Sequence, residues 1–171
     1  QAMASPSVKA RHALWRVVSH SSEPASRLIW IYAIAMGAFQ MMTTVPALFL
    51  AVRSGVNETT IGYFFTYIGV ISIVARAGVL GPAVDRFGEA RLSRIGSLTL
   101  ALGLATIALT HHLVPLALAV ALVPLGTAFT FPCVTSLLSR VIESRERGLY
   151  MGVQQTFGGV ARVLFPILFG F

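Results

Sequence analysis

The sequence predicts an all-α membrane protein, a polytopic bundle of transmembrane helices with five spans in this chain. Hydrophobic residues make up 56% and charged residues 11% of the 171 positions, and the mean hydropathy is +0.78. Soluble domains contain about 25% charged residues. No Asp, Glu, Lys or Arg occurs between Arg94 and Arg140. A soluble protein could not bury so long an uncharged stretch. The composition therefore places the chain in the membrane class.

The spans follow from the uncharged segments. The first of them, between Arg27 and Arg53, extends to about 37 Å at the helical rise, enough to cross a ~30 Å hydrocarbon core with some tilt. His111 and His112, followed by Pro115, divide the long run where a turn is needed. The predicted spans are Leu28–Val52, Ile61–Val84, Ile95–Thr110, Val114–Leu138 and Gly148 to the end of the chain.

The N-terminal segment differs from the rest. Residues 1–26 are polar and mixed, which predicts a cytoplasmic linker ahead of a partial bundle at residues 27–171. Within the linker, Ala10–His20 has the pattern of a short amphipathic helix at the membrane surface. A solvated linker without a helix is the alternative.

Orientation follows from the positive-inside rule. With alternating crossings, Arg53 is the only basic loop residue on one side of the membrane. The other side holds Lys9, Arg11, Arg16, Arg27, Arg86, Arg91, Arg94, Arg140, Arg145 and Arg147. We therefore predict a multi-pass protein of the cell membrane, with residues 1–26 and the charged turns 85–94 and 140–147 in the cytoplasm.

Several other classes of protein are excluded. The net charge of +7 is spread over short loops and a tail, without the aromatic and basic interleaving of a nucleic-acid surface. Cys133 is the only cysteine, so neither a disulfide framework nor a cysteine metal site is expected. No catalytic triad, phosphate-binding glycine loop or paired carboxylates occur, so we expect no enzyme, cofactor or metal.

The segment Gly81–Arg91 carries the most specific motif. Gly81, Asp85, Arg86 and Gly88 fit the pattern G-x-x-x-D-R-x-G, which resembles the cytoplasmic loop motif of the major facilitator superfamily. Asp85 would lie at a helix C-terminus, where the helix dipole disfavours an anion. It therefore needs a partner, and a contact that forms in one conformation and breaks in another would act as a gate. An ordinary solvated turn is the alternative.

The resemblance extends along the chain. Phe64–Gly69 is similar to the eighth helix of the drug/proton antiporter branch, and Glu146–Gly148 with Gly152, Arg162 and Pro166 is similar to its eleventh. Residues 27–171 then resemble helices seven to eleven of a twelve-helix transporter, and residues 1–26 the central loop. Phe165 stands where that branch usually has glycine, which puts tight packing there in doubt.

The resemblance implies a secondary transporter, with proton-coupled efflux of small organic molecules by alternating access. Its partners would be a small-molecule substrate, the lipid bilayer, and a missing N-terminal half and last helix. The alternative is a non-transporting membrane receptor or an assembly subunit. No Asp or Glu lies within a predicted span, so a proton-carrying carboxylate would belong to the missing half.

Four polar residues within the spans are candidate substrate ligands: Gln40, Arg76, Gln155 and Arg162. An arginine inside the membrane costs at least ~2.5 kcal/mol, so it is expected to face a cavity or an acidic partner. For Arg76 the alternative is snorkelling to the interface, and for Arg162 it is bonding to helix carbonyls. For Gln40 a helix–helix hydrogen bond is the alternative.

Small residues in the spans predict close contacts between helices. The expected contact positions are Gly62, Gly69, Gly78, Gly81, Gly152, Gly158 and Gly159.

Overall fold

The computed structural model describes residues 6–53, 58–109 and 113–169. Within these ranges every element is helical and no strand occurs. The helices are α1 (Pro6–Ser19), α2 (Pro24–Arg53), α3 (Glu58–Val74), α4 (Leu80–Phe87), α5 (Glu89–Leu109), α6 (Leu113–Val141) and α7 (Arg147–Phe169), with a π-helical segment, Ala75–Val79, joining α3 to α4. The predicted fold class, all-α and membrane-embedded, is confirmed.

Five long helical stretches correspond to the five predicted spans: α2, α3 through α4, α5, α6 and α7. The shortest, α5, has 21 residues, which at helical rise is about 31 Å and still matches the hydrocarbon core. In the described residues, the stretches Phe65–Phe87 and Leu118–Val141 are long and apolar enough to cross a membrane. The predicted turn at His111 and His112 lies outside the described residues.

The predicted charged turn 85–94 is helical at every residue but Gly88, so the prediction of a turn over its whole length is wrong. α4 continues to Phe87, and α5 begins at Glu89. Gly88 alone separates them, with φ of 75° and ψ of 154°, a conformation that glycine adopts without a Cβ clash. The reversal therefore needs one residue, and the charged side chains around it lie on helices.

Pro82 lies within this helix because the helix has already changed its hydrogen-bond register. The Leu80 backbone N–H donates to the Ala75 carbonyl, five residues back, as a π-helix requires. A proline lacks the N–H for an α-helical bond and crowds the carbonyl four residues before it. The π-helical segment widens the turn directly ahead of Pro82, so the helix continues to Phe87.

The most extensive helix contact joins α5 and α6. A Cβ on Gly126 would lie 2.6 Å from the Leu100 backbone nitrogen, and one on Gly96 would lie 2.8 Å from the Thr130 backbone nitrogen. A Cβ on Gly103, further along, would lie 3.1 Å from the Ala119 carbonyl oxygen of α6. The two antiparallel backbones touch at these glycines, as in other membrane helix pairs that pack through small residues.

α2 and α7 run parallel and interlock through one large side chain from each. The Phe165 ring lies over Gly37, 2.5 Å from the position of a Cβ there, and the Tyr32 ring lies over Gly158 at 2.7 Å. The doubt about packing at Phe165 is therefore resolved: the small residue is on α2, and the ring fills its space.

Most of the predicted contact glycines make no close contact within the described residues. Of the seven, only Gly158 approaches another helix. A Cβ would meet nothing within 4 Å among the described residues at Gly62, Gly69, Gly78, Gly81, Gly152 and Gly159. Hydropathy does not reveal which side of a helix faces a neighbour, so Gly37, Gly96, Gly103 and Gly126 were missed.

α1 packs against the bundle, and the predicted segment Ala10–His20 lies within this helix except for His20, so it is not an unstructured linker. Ala13 and Val17 are buried in a cluster with Ile29, Leu138 and Tyr150. The Trp30 indole nitrogen donates to the Val17 carbonyl at 3.3 Å. The helix is longer than expected, because it begins at Pro6.

Candidate functional site

The charged segments of the chain meet at one end of the bundle. Glu89, in the first turn of α5, accepts hydrogen bonds on Oε1 from Ser136 Oγ and from the Arg140 guanidinium of α6, both at 2.8 Å. The carboxylate also lies at a helix N-terminus, where the dipole favours an anion. The contact joins the turn after α4 to the end of α6.

Glu89 is an unusual surface carboxylate because its side chain is only 12% exposed. Its second oxygen, Oε2, is buried and has no hydrogen-bond partner among the described residues. Arg140 is 70% exposed, so water screens the ion pair and reduces its contribution to stability. Sequence reasoning missed Glu89, although it directly follows the motif glycine.

The four predicted gating residues are grouped on α4 and at its end. Gly81, Asp85, Arg86 and Gly88 are all exposed. Asp85 forms no ion pair within the described ranges, and the Arg86 guanidinium lies 6.0 Å from the centre of the Phe87 ring. The direct link to another helix comes from Glu89 instead.

α7 has a buried side and an exposed polar side. Tyr150, Val153, Gln154, Gly158 and Ala161 are buried against the other helices. The exposed side holds Gln155, Gly159 and Arg162, at the i, i+4, i+7 spacing of one helix face. Two of the four predicted ligands therefore share an exposed stripe on one helix.

Tyr32 connects this polar face to α2. Its hydroxyl donates to Gln155 Oε1 at 3.3 Å, while its ring packs over Gly158 and against the Phe131 ring of α6. Tyr32 is 6% exposed, so its position is set by packing. The bond fixes one end of the Gln155 amide and leaves its NH₂ group directed away from the tyrosine.

Gln154, next to Gln155, lies in a different environment. It is completely buried, and its Nε2 donates to Thr135 Oγ1 of α6 at 3.1 Å. Its Oε1 has no partner among the described residues, although buried amide oxygens are normally bonded. The pair of adjacent glutamines was the available signal, because consecutive helical residues project about 100° apart and two adjacent polar side chains can therefore lie in different environments.

The other two predicted ligands lie apart from this face. Gln40 is half-buried on α2, two turns beyond Tyr32 on the same side. Arg76 is exposed in the π-helical segment, which packs mainly on α3, α4 and α6. Arg162 and Arg76 form no ion pair with any described residue.

The described residues contain no group of three histidine, cysteine or acidic side chains placed to hold a metal. A groove of about 680 Å³ between α1 and α7 is lined by none of the four predicted ligands. Of the four predicted ligands, Gln155 and Arg162 are the two that the structure brings together, on the exposed side of α7.

Comparison with known proteins gives one family. The family model described as Major Facilitator Superfamily matches residues 3–168, nearly the whole chain. No curated protein and no solved structure matches the chain significantly.

Proposed function

The chain belongs to the major facilitator superfamily of membrane transporters, and from this premise we propose that it takes part in proton-coupled efflux of small organic molecules. Transport would proceed by alternating access, in which two halves of a helix bundle rock around a site near the middle of the membrane. Residues 27–171 would supply helices seven to eleven, and the N-terminal half and the last helix would complete the transporter.

The observation that carries the proposal is the exposed polar face of α7. Arg162 is fifteen residues beyond Arg147, about 22 Å along the helix and close to the middle of a bilayer. An exposed arginine at that depth is unfavourable unless it faces water, a substrate or an acidic group. Gln155, held by Tyr32 at 3.3 Å, offers a second polar group two turns away.

A transport cavity would account for these features together. In such a cavity Arg162 and the Gln155 amide would bind polar or anionic substrate groups, with Gln40 on the neighbouring α2. Arg76 would line the same cavity from the π-helical segment Ala75–Val79. The predicted spans contain no Asp or Glu, so the titrating carboxylate of a proton-coupled cycle would come from the N-terminal half and would pair with Arg162 between transport steps.

The test is transport by the complete protein in proteoliposomes with an imposed pH gradient. Release of fluorescent organic dyes, one cationic and one anionic, is followed with and without the gradient. We expect gradient-dependent flux of at least one dye. The Arg162→Gln variant is expected to reduce that flux at least tenfold, and Arg162→Lys is expected to retain more of it because the charge is kept.

The matched control is Arg145→Gln, which removes an exposed arginine from the turn between α6 and α7. Its flux is expected to stay near that of the parent protein. Flux that ignores the pH gradient would contradict proton coupling alone. Absence of flux with every dye would instead favour a receptor or an assembly subunit.

A further inference from the structure

α1 and α7 enclose a groove of about 680 Å³. One wall belongs to α1, and the other is formed by the middle of α7. The lining residues are Arg11, His12, Leu14, Trp15, Val18, Thr156, Phe157 and Val160. Most of this surface is apolar, with basic side chains at the α1 edge and no acidic residue in the lining.

Two apolar residues of α1 that line the groove are exposed. Ala13 and Val17 are buried in the bundle, whereas Trp15 is 70% exposed and Val18 is 54% exposed. On α7, Val160 is 51% exposed, and the apolar exposure continues at Val163. In water this arrangement would be unfavourable, so the groove is suited to contact with lipid.

The charges on the two sides of α1 are balanced differently. Arg16 pairs with Glu23, with 3.0 Å between Nε and Oε2, and this hydrogen bond raises the pKa of Arg16 above its usual value. Arg11 forms no ion pair with any described residue. The groove therefore carries a positive charge that no described residue pairs with, beside an aromatic residue of the type common at membrane interfaces.

The depth of the groove matches the structure of a phospholipid. Thr156 is nine residues beyond Arg147, about 13 Å along α7 and past the ~6 Å headgroup layer on one side of a bilayer. Phe157 and Val160 therefore lie at the level of acyl chains. Arg11, on a long flexible side chain, reaches towards headgroup phosphates.

We propose that this groove binds an anionic phospholipid. The phosphate would contact Arg11, with His12 beside it, and an acyl chain would lie along Trp15, Val18, Phe157 and Val160. The site depends on the membrane location of the chain and not on the proposed transport reaction. It would fix α1 at a defined depth in the membrane.

The experiment uses the fluorescence of Trp15, since the chain has two tryptophans. In the chain carrying Trp30→Phe, Trp15 is the only tryptophan and can be excited selectively. The phenylalanine keeps an aromatic ring against Phe157. The protein is reconstituted in phosphatidylcholine vesicles containing a minor fraction of either phosphatidylglycerol or phosphatidylcholine with brominated acyl chains, because bromine quenches a tryptophan that it touches.

At equal fractions, we expect brominated phosphatidylglycerol to occupy the groove about fivefold more effectively than brominated phosphatidylcholine, the preference that one basic residue near anionic lipid provides. Arg11→Gln is expected to bring the two lipids close to equal. The matched control is Arg145→Gln, which removes the same charge outside the groove and is expected to leave the preference unchanged.

Equal quenching by the two lipids in the parent protein would overturn the proposal. An equal loss of preference in Arg11→Gln and Arg145→Gln would also overturn it, because the effect would then come from overall charge. A second variant, Val160→Phe, fills the α7 wall at a half-exposed position and is expected to weaken quenching by phosphatidylglycerol. Unchanged quenching there would place the lipid elsewhere and count against the groove. None of these readouts requires transport.

Discussion

Glu89 illustrates how one side chain can join two segments of a membrane protein. One carboxylate oxygen accepts two hydrogen bonds from α6, and the other is buried without a partner among the described residues. A charge-assisted bond contributes about 1.5–3 kcal/mol when it is shielded from water. The exposure of Arg140 reduces that value, whereas the half-buried Ser136 is less affected.

Replacement of Glu89 by alanine should therefore destabilise the chain by about 1–2 kcal/mol, since Ser136 loses its acceptor and Arg140 its counter-charge. Glu89→Gln should have a smaller effect, because an amide oxygen still accepts from Ser136. The measurement is thermal unfolding in detergent, followed with a thiol-reactive fluorogenic dye. Cys133 is the only cysteine and is 1% exposed, so it reacts when the bundle opens.

The control is Glu143→Ala, which removes an exposed carboxylate from the turn between α6 and α7. Equal unfolding temperatures for Glu89→Ala and Glu143→Ala would show that the contact with α6 contributes nothing measurable.

At the scale of the helices, close packing depends on which residue of a contacting pair is small. The α5–α6 contact places Gly96, Gly103 and Gly126 directly against backbone. The α2–α7 contact places a ring from each helix over a glycine of the other. Both arrangements gain from dispersion between closely spaced atoms, which is a main source of helix association in lipid.

Gly126→Ala should destabilise the chain by about 1–3 kcal/mol, the usual range for overpacking. The new methyl group would lie 2.6 Å from a backbone nitrogen that cannot move without displacing α5. Gly69→Ala is the matched control, since a Cβ there meets nothing within 4 Å and alanine is favoured in helices by up to about 1 kcal/mol. Unfolding of the two variants is followed by the labelling of Cys133. Their unfolding free energies should change in opposite directions, or should differ by at least the overpacking cost of Gly126→Ala.

The contact between Gly37 and Phe165 makes a coupled prediction. Gly37→Ala alone should destabilise the chain by about 1–3 kcal/mol, because the methyl group would overlap the Phe165 ring. In the background of Phe165→Ala, the same change should be nearly neutral. A double-mutant cycle of unfolding free energies measures this coupling, and strictly additive effects of the two substitutions would contradict the packing described.

The sequence predicted the positions of the helices better than it predicted which helix faces contact each other. Long uncharged runs are unambiguous, so a described helix lies at each of the five predicted spans. The side of a helix that faces a partner is not encoded by hydropathy when lipid and protein are both apolar. For that reason Gly62 and Gly69 were predicted as contact positions, whereas Gly96 and Gly126 make the close contacts between described helices. Gln154 and Glu89 were missed because burial depends on neighbours distant in the sequence, Thr135 and Ser136.

For the whole molecule, the described contacts gather α1, the α4–α5 reversal and the α6–α7 turn at one end. Glu89 contacts Arg140, and a second groove brings Lys9 and His20 of the N-terminal segment beside Glu146. Such an end is rich in basic residues, and from the positive-inside rule we predict that it faces the cytoplasm.

The topology can be tested by cysteine labelling of intact cells in a Cys133→Ser background. A membrane-impermeant maleimide is expected to label Asn57→Cys in the predicted outer loop, and to leave Ala90→Cys and Ser144→Cys unlabelled until the cells are opened. Labelling of either cytoplasmic position from outside would invert the orientation, and labelling of all three would argue against a membrane-spanning bundle.

The π-helical segment Ala75–Val79 has a consequence for the loop motif that follows it. One extra residue in a turn rotates everything after it by about 100° around the helix axis, compared with an uninterrupted α-helix. The direction in which Asp85 and Arg86 project is thus decided ten residues earlier, by a stretch that carries no motif. Deleting a single residue there, such as Gly78, would restore the α-helical register and turn Asp85 and Arg86 towards a different neighbour.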